Sequence, residues 1–272
     1  MNRTAVRLVA GNLDRLLMTL SMLAVLLAAP VNAWAACGGE TERSGTITLD
    51  VGSVTRIFVV KVPSGADGGT PAPVLFAFHP YGMNATYMQS RVSTRLWPEA
   101  IMIYPEGVPG RGGPAWQGRP GEAEDRDVAF FDAMLAWLDG HECIDRRRVF
   151  VMGYSNGAGL ASVLACTRNE AIAGVAIASG RQACAPTGAR PVMLAHGLRD
   201  ASISYGQAIQ AAQTWSKVNQ CAAPPKVETP GCFAATSCTA ASTMLCTYPG
   251  GHEYNSAFTR TFIEAFQKVG GK

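Results

Sequence analysis

The pentapeptide Gly153-Tyr154-Ser155-Asn156-Gly157 sets a serine between two glycines, each two positions away. A serine hydroxyl is a weak nucleophile until an imidazole takes its proton, and that imidazole needs a carboxylate to fix its tautomer. The chain has four histidines, at 79, 141, 196 and 252. Only His252, in Pro249-Gly250-Gly251-His252, comes after both the serine and a late acidic residue. That acid is Asp200 of His196-Gly197-Leu198-Arg199-Asp200, the one carboxylate between Gly180 and Pro225. Glu253 is the fallback, although its adjacency to His252 rarely gives the required geometry. The candidate nucleophile, base and orienter are therefore Ser155, His252 and Asp200, and their chemistry is acyl transfer from an ester or an amide.

Such groups work only if the chain holds them in place. Short apolar runs bounded by turn residues occur at 74–78, 100–104, 149–152, 173–178, 192–195 and 244–248, the pattern of strands buried on both faces. Two strand-like segments precede them, 46–51 and 54–62, the second rich in β-branched residues. Helical patterns fall between the runs at 127–138, 156–166, 205–219 and 255–269. Strands alternating with helices predict an α/β chain with a mostly parallel sheet. Ser155 then stands on a sharp turn from strand to helix. There the N–H of Asn156 faces any negative charge developing on a carbonyl oxygen. A second such donor is expected after an early strand, in Phe78-His79-Pro80-Tyr81-Gly82. Pro80 has no N–H, which leaves Tyr81 or Gly82.

The same turn has a rival reading as a dinucleotide fingerprint, in Gly157-Ala158-Gly159-Leu160-Ala161-Ser162. It has serine at the last small-residue position and no acid near 177–187 to hold a ribose, so the nucleophile reading is preferred. Two further stretches are expected to be loops: 105–126, rich in Gly, Pro and Arg, and 221–243, a disulfide-tied excursion. Trp116 in the first of these is a candidate for packing against an apolar part of a substrate.

Residues 1–35 have the pattern of a secretory signal peptide: three arginines, an apolar run at 16–29, and Ala33-Trp34-Ala35. Residues 36–272 then form a single catalytic domain in a secreted or periplasmic protein, without stable membrane insertion once the leader is removed. Ala36-Cys37 also raises a lipid-anchored alternative. The chain is 48% hydrophobic and carries a net +3, with no basic cluster interleaved with aromatics, so nucleic acid is not an expected partner. All eight cysteines follow the leader, an even number that favours disulfides. Pairing by local loop closure suggests Cys232 with Cys238 and Cys221 with Cys246. No C-x-x-C or zinc-finger spacing is present, and the chemistry above calls for neither metal nor organic cofactor.

The chain resembles the secreted polyhydroxybutyrate depolymerases and feruloyl esterases of the α/β-hydrolase fold. The matching pieces are F-A-F-H-P-Y-G-M-N-A (76–85), I-Y-P-E-G (103–107), A-W-Q-G (115–118) and D-R-D-V-A-F (125–130). G-Y-S-N-G-A-G (153–159), H-G-L-R-D (196–200) and Y-P-G-G-H-E-Y (248–254) complete the set. The resemblance implies Ser155, Asp200 and His252 as the triad and Tyr81 with Asn156 as oxyanion donors. It further implies an acyl-enzyme esterase acting on hydroxyalkanoate oligomers or related small or oligomeric esters. A feruloyl or acetyl esterase of plant polysaccharide, a peptidase, and a binding protein on the same scaffold are the alternatives.

Overall fold

The computed structural model describes residues 44–63, 69–227 and 229–269. The expected leader, its cleavage site and Cys37 lie outside these residues. Strands β1 (Gly45–Val51) and β2 (Val54–Lys61) form a hairpin, and β3 (Ala72–Phe78), β4 (Ile101–Pro105), β5 (Ile144–Tyr154), β6 (Gly174–Ala178), β7 (Val192–Gly197), β8 (Gly231–Ala234) and β9 (Thr243–Tyr248) follow. They make one sheet in the order β1-β2-β4-β3-β5-β6-β7-β9-β8. Every pairing from β4 across to β9 is parallel, and the antiparallel pairs lie at the two margins.

Among the described residues five α-helices cover the sheet: α1 (Ala85–Arg91), α2 (Arg126–His141), α3 (Asn156–Thr167), α4 (Tyr205–Val218) and α5 (Ala257–Gln267). Alternate residues of each strand feed opposite faces. Phe76 and Phe78 of β3 and Val149 and Val151 of β5 join the layer of α2, α3 and α4. Leu75, Ala77, Phe150 and Met152 join the layer of α1 and α5. With both faces covered, β3 is buried at every position, which is why it reads as an unbroken apolar run. Among the described residues no helix is long and apolar enough to cross a membrane.

The expected disulfide pairing is corrected. Cys221 bonds to Cys238 and Cys232 to Cys246, while Cys166 ties the end of α3 to Cys184 beyond β6. The physical reason is β8, which lies inside the stretch expected to be irregular. Its antiparallel register sets Cys232 directly opposite Cys246. Spatial opposition across a ladder, and not the shortest loop, chose the partner. None of the described cysteines is free.

Candidate functional site

Strand β5 ends at Tyr154 and α3 begins at Asn156, so Ser155 alone makes the turn between them. Its backbone sits at φ 55° and ψ −115°, a conformation in which the neighbouring backbone crowds close. A Cβ at Gly153 would strike the carbonyl of Gly157, and one at Gly157 would strike the carbonyls of Phe78 and His79. The glycines of the pentapeptide thus let the turn close and let the end of β3 pack against it.

Three sequence-predicted residues meet in one hydrogen-bonded line. His252 Nε2 lies 2.8 Å from Ser155 Oγ, and His252 Nδ1 lies 2.7 Å from Asp200 Oδ2. The Asp200 side chain is fully buried, and its Oδ1 accepts from the N–H groups of Ser202 and Ile203, each at 2.9 Å. Burial alone would raise its pKa, but the hydrogen bonds from Ile203, His252 and Ser202 outweigh it and hold the carboxyl below its ordinary value. Asp200 is therefore ionised at neutral pH and fixes the Nδ1–H tautomer of His252.

The loop bearing His252 is held from both sides. Tyr154 Oη donates to the His252 carbonyl at 3.0 Å, and Tyr248 Oη donates to the Glu253 carbonyl at 2.5 Å. The N–H groups of Leu198 and Arg199 donate to the carbonyls of Tyr248 and Gly250, joining the loop of Asp200 to that of His252.

The expected anion donors can be judged by which N–H groups are already engaged. Gly82 N–H donates to Pro114 O at 2.9 Å and Met83 N–H to Pro80 O at 3.2 Å. Tyr81 N–H and Asn156 N–H have no protein acceptor among the described residues, whereas Ser155 N–H is spent on Ala178 O. Of the two candidates in the early loop, Tyr81 is the one free to donate. The Asn156 side chain serves the scaffold: Oδ1 accepts from Trp116 N–H and Nδ2 donates to Trp116 O.

Trp116 is placed differently from the expectation that it packs a substrate. It is 4% exposed, packs edge-on against Phe78, and donates Nε1–H to His79 O at 2.9 Å. Its indole braces the loop of Tyr81 from beneath because that carbonyl is the acceptor within reach. His79, which the sequence did not single out for a role, is also buried. Its Nε2 accepts from Gly107 N–H at 2.9 Å, so Nδ1 carries the proton and donates to Pro80 O at 2.8 Å. Glu106 Oε1 accepts from Ala85 N–H at the start of α1. The quoted motifs around His79, Glu106 and Trp116 thus converge on one job, holding the loop of Tyr81.

His196 is buried as well and donates Nε2–H to Ile203 O at 2.7 Å, with Asp200 Oδ2 3.3 Å away. Burial lowers the pKa of both His79 and His196. The folded state therefore disfavours a proton that the unfolded chain binds below about pH 6.5. Stability contributed by the two neutral imidazoles is present above that pH and is lost as pH falls through it. The expected result is a thermal midpoint that declines over the interval from about pH 6.5 down to the carboxylate range. A midpoint flat over that interval would show that both rings titrate normally.

A cleft of about 310 Å³ opens at Ser155 and His252, lined also by Gly118, Asn156, Gly159, Arg181, Ser202 and Ile203. A carbonyl carbon seated there is within reach of the serine, with Asn156 at the edge where its oxygen would lie.

Fold and site together define the α/β-hydrolase class, with a hydroxyl, an imidazole and a carboxylate on loops at the carboxyl ends of parallel strands. Comparison with solved structures agrees on the fold. The acetyl xylan esterase from Aspergillus awamori covers 82% of this chain and 99% of its own at 18% identity, with a TM-score of 0.62. The Bacillus cereus carboxylesterase covers 78% and 94% at 19% identity, with a TM-score of 0.58. No protein-family model matches the chain. Among curated proteins, feruloyl esterase D of Neurospora crassa is 30% identical over 226 residues, 76% of this chain and 74% of that protein. The chain belongs to the feruloyl esterase family. Feruloyl esterase B of Piromyces equi is 29% identical over 226 residues, 72% of this chain but only 42% of that longer protein.

Proposed function

We propose that the chain is an exported serine esterase that hydrolyses carboxylic esters through an acyl-enzyme. The observation that carries this reading is the continuous line from Ser155 Oγ through the His252 ring to Asp200, at 2.8 and 2.7 Å. Ser155 Oγ attacks the ester carbonyl as His252 Nε2 takes its proton. The N–H groups of Tyr81 and Asn156 receive the oxyanion, where preorganised donors act on charge that exists only in the transition state. The imidazolium, stabilised by ionised Asp200, returns the proton to the leaving alcohol. Water, activated by the same imidazole, then releases the acid.

The names of the relatives favour a feruloyl or acetyl ester of a carbohydrate over the hydroxyalkanoate oligomers also expected from the motifs. Export is supported by the leader pattern and by the disulfides Cys166–Cys184, Cys221–Cys238 and Cys232–Cys246, since such bonds persist in oxidising compartments. The direct test is labelling with a fluorophosphonate followed by peptide mass analysis of the oxidised protein. One adduct, on the peptide containing Ser155 and blocked by prior incubation with methyl ferulate, is the expected result. An unlabelled Ser155 in folded protein would remove it as the nucleophile.

A further inference from the structure

The cleft at Ser155 contains one fixed positive charge with nothing to do. Arg181 is exposed and lines that cleft, and no hydrogen bond or ion pair engages its guanidinium among the described residues. Arg111, Arg119, Arg199 and Arg260 are likewise without an ion pair among the described residues. What distinguishes Arg181 is its place in the cleft lining, while other arginines are committed to carboxylates. Arg168 is paired with Asp132, Arg147 and Arg148 with Asp145, and Arg56 with Asp127. Of the eight lining residues Arg181 alone carries a permanent charge, and the one other titrating side chain is His252. The buried carboxylate of Asp200 is committed to His252 and to two N–H groups, so it does not neutralise the arginine.

Topology says which half of an ester this cation faces. The sheet order places β3, whose loop carries Tyr81, on one side of β5 and Ser155. On the other side lie β6, β7 and β9, whose loops carry Arg181, Ser202 with Ile203, and His252. The oxyanion belongs on the first side. The leaving oxygen must lie on the side of His252, because His252 Nε2 returns the proton to it. Arg181 shares that side.

We infer that Arg181 binds a carboxylate carried by the alcohol half of the ester, so that the preferred substrates are acylated hydroxy acids or acylated uronic sugars. A guanidinium offers a planar, permanently charged fork that matches a carboxylate, and such charge-assisted bonds are stronger than neutral ones. Because Arg181 has no carboxylate of its own to release, the incoming one meets no competitor. The inference rests on the serine-esterase reading and goes further only in naming the alcohol half.

The test uses two matched pairs, 3-acetoxybutyrate with its methyl ester and O-acetylated galacturonic acid with its methyl ester. Hydrolysis is followed as acetate release by the intact oxidised protein. The expected wild-type result is a higher kcat/KM for an anion than for its own methyl ester, a preference that shrinks with added salt. In Arg181→Gln the ratio of anion to methyl ester should fall by about tenfold or more, carried chiefly in KM, whatever the change does to neutral esters. Arg181→Lys should keep part of the ratio, retaining charge without the fork. The pair that responds identifies the alcohol half, a hydroxy acid or a uronate. A ratio unaltered by Arg181→Gln in both pairs overturns the inference while leaving the esterase reading intact. Absence of acetate release from either methyl ester and from p-nitrophenyl acetate by the wild-type protein would instead sink the esterase reading beneath it.

Discussion

Ser155→Ala is expected to lower kcat for p-nitrophenyl butyrate by a factor on the order of 10⁶, with KM nearly unchanged. The reason is geometric. Ser155 Oγ is held 2.8 Å from the imidazole that must take its proton, and alanine leaves the cleft intact but without a nucleophile. His252→Ala should cost about as much, because neither group works without the other, and the double variant should be no worse than either single one. Asp200→Asn is expected to fall short of these, on the order of 10⁴, by presenting a donor to Nδ1 and so favouring the wrong tautomer. The ordering is the sharper test. Independent losses that multiply in the double variant would mean that Ser155 and His252 do not act as one unit. Equal turnover in Ser155→Ala and the wild type would exclude the acyl-enzyme route altogether. What survives the double variant measures what the proposed donors, the Tyr81 and Asn156 N–H groups, contribute together with binding.

That Ser155, His252 and Asp200 come together in one hydrogen-bonded line was legible because the proposed chemistry fixes both their types and their order along the chain. The strands were legible for a different reason. A parallel sheet covered on both faces must be apolar at every position, as β3 is, so each strand stands out as a short run between breakers. The edge strand β8 escaped. Its residues Gly231–Ala234 alternate between half-buried and exposed and contain no long apolar run, so nothing local distinguishes them from loop. The disulfide expectation failed with it, because Cys232 finds Cys246 only across that ladder. Helix α1 was missed likewise: its seven residues bury only Ala85 and Met88, too few for a helical period to show.

The misplacement of Trp116 is more instructive. A tryptophan in a long loop near a reactive serine suggests a surface for substrate. Sequence cannot reveal that the indole N–H is within reach of His79 O, or that both backbone groups of Trp116 are taken by the Asn156 side chain. The bracing roles of His79, Glu106 and Trp116 are fixed by contacts between residues 21 to 40 positions apart and have no local signature. The sequence offered one usable hint. These residues fall in short motifs shared with a family, yet the triad and the anion donors leave them without a task.

The same reasoning identifies Asp127 as the point where the bracing is anchored, and its loss should be the costliest change to stability away from the triad. Its side chain is fully buried. One oxygen accepts from Arg56 Nη2 at 2.8 Å and the other from Gln117 N–H at 2.7 Å, while its own N–H donates to Gln117 Oε1. Gln117 adjoins Trp116, so this carboxylate connects α2 to the segment beneath the loop of Tyr81. Asp127→Ala strands Arg56, whose side chain is 3% exposed, with Glu106 O and the faces of Phe130 and Trp116 left as neighbours for its charge. Removing one partner of a buried pair costs about 3–5 kcal/mol, since the other charge remains out of water. For a domain of this size that corresponds to a thermal midpoint lowered by roughly 10 °C. Replacing both partners in Arg56→Met/Asp127→Leu removes the stranded charge and should recover much of the loss, because an apolar pair of similar volume is often no less stable than a buried ion pair. The Gln117 N–H stays unpaired in both variants. Turnover should therefore stay depressed in the double variant even as stability returns. Differential scanning calorimetry beside ester kinetics separates the two effects. Activity that recovers in step with the midpoint would show that Asp127 matters for stability alone and does not position the loop of Tyr81.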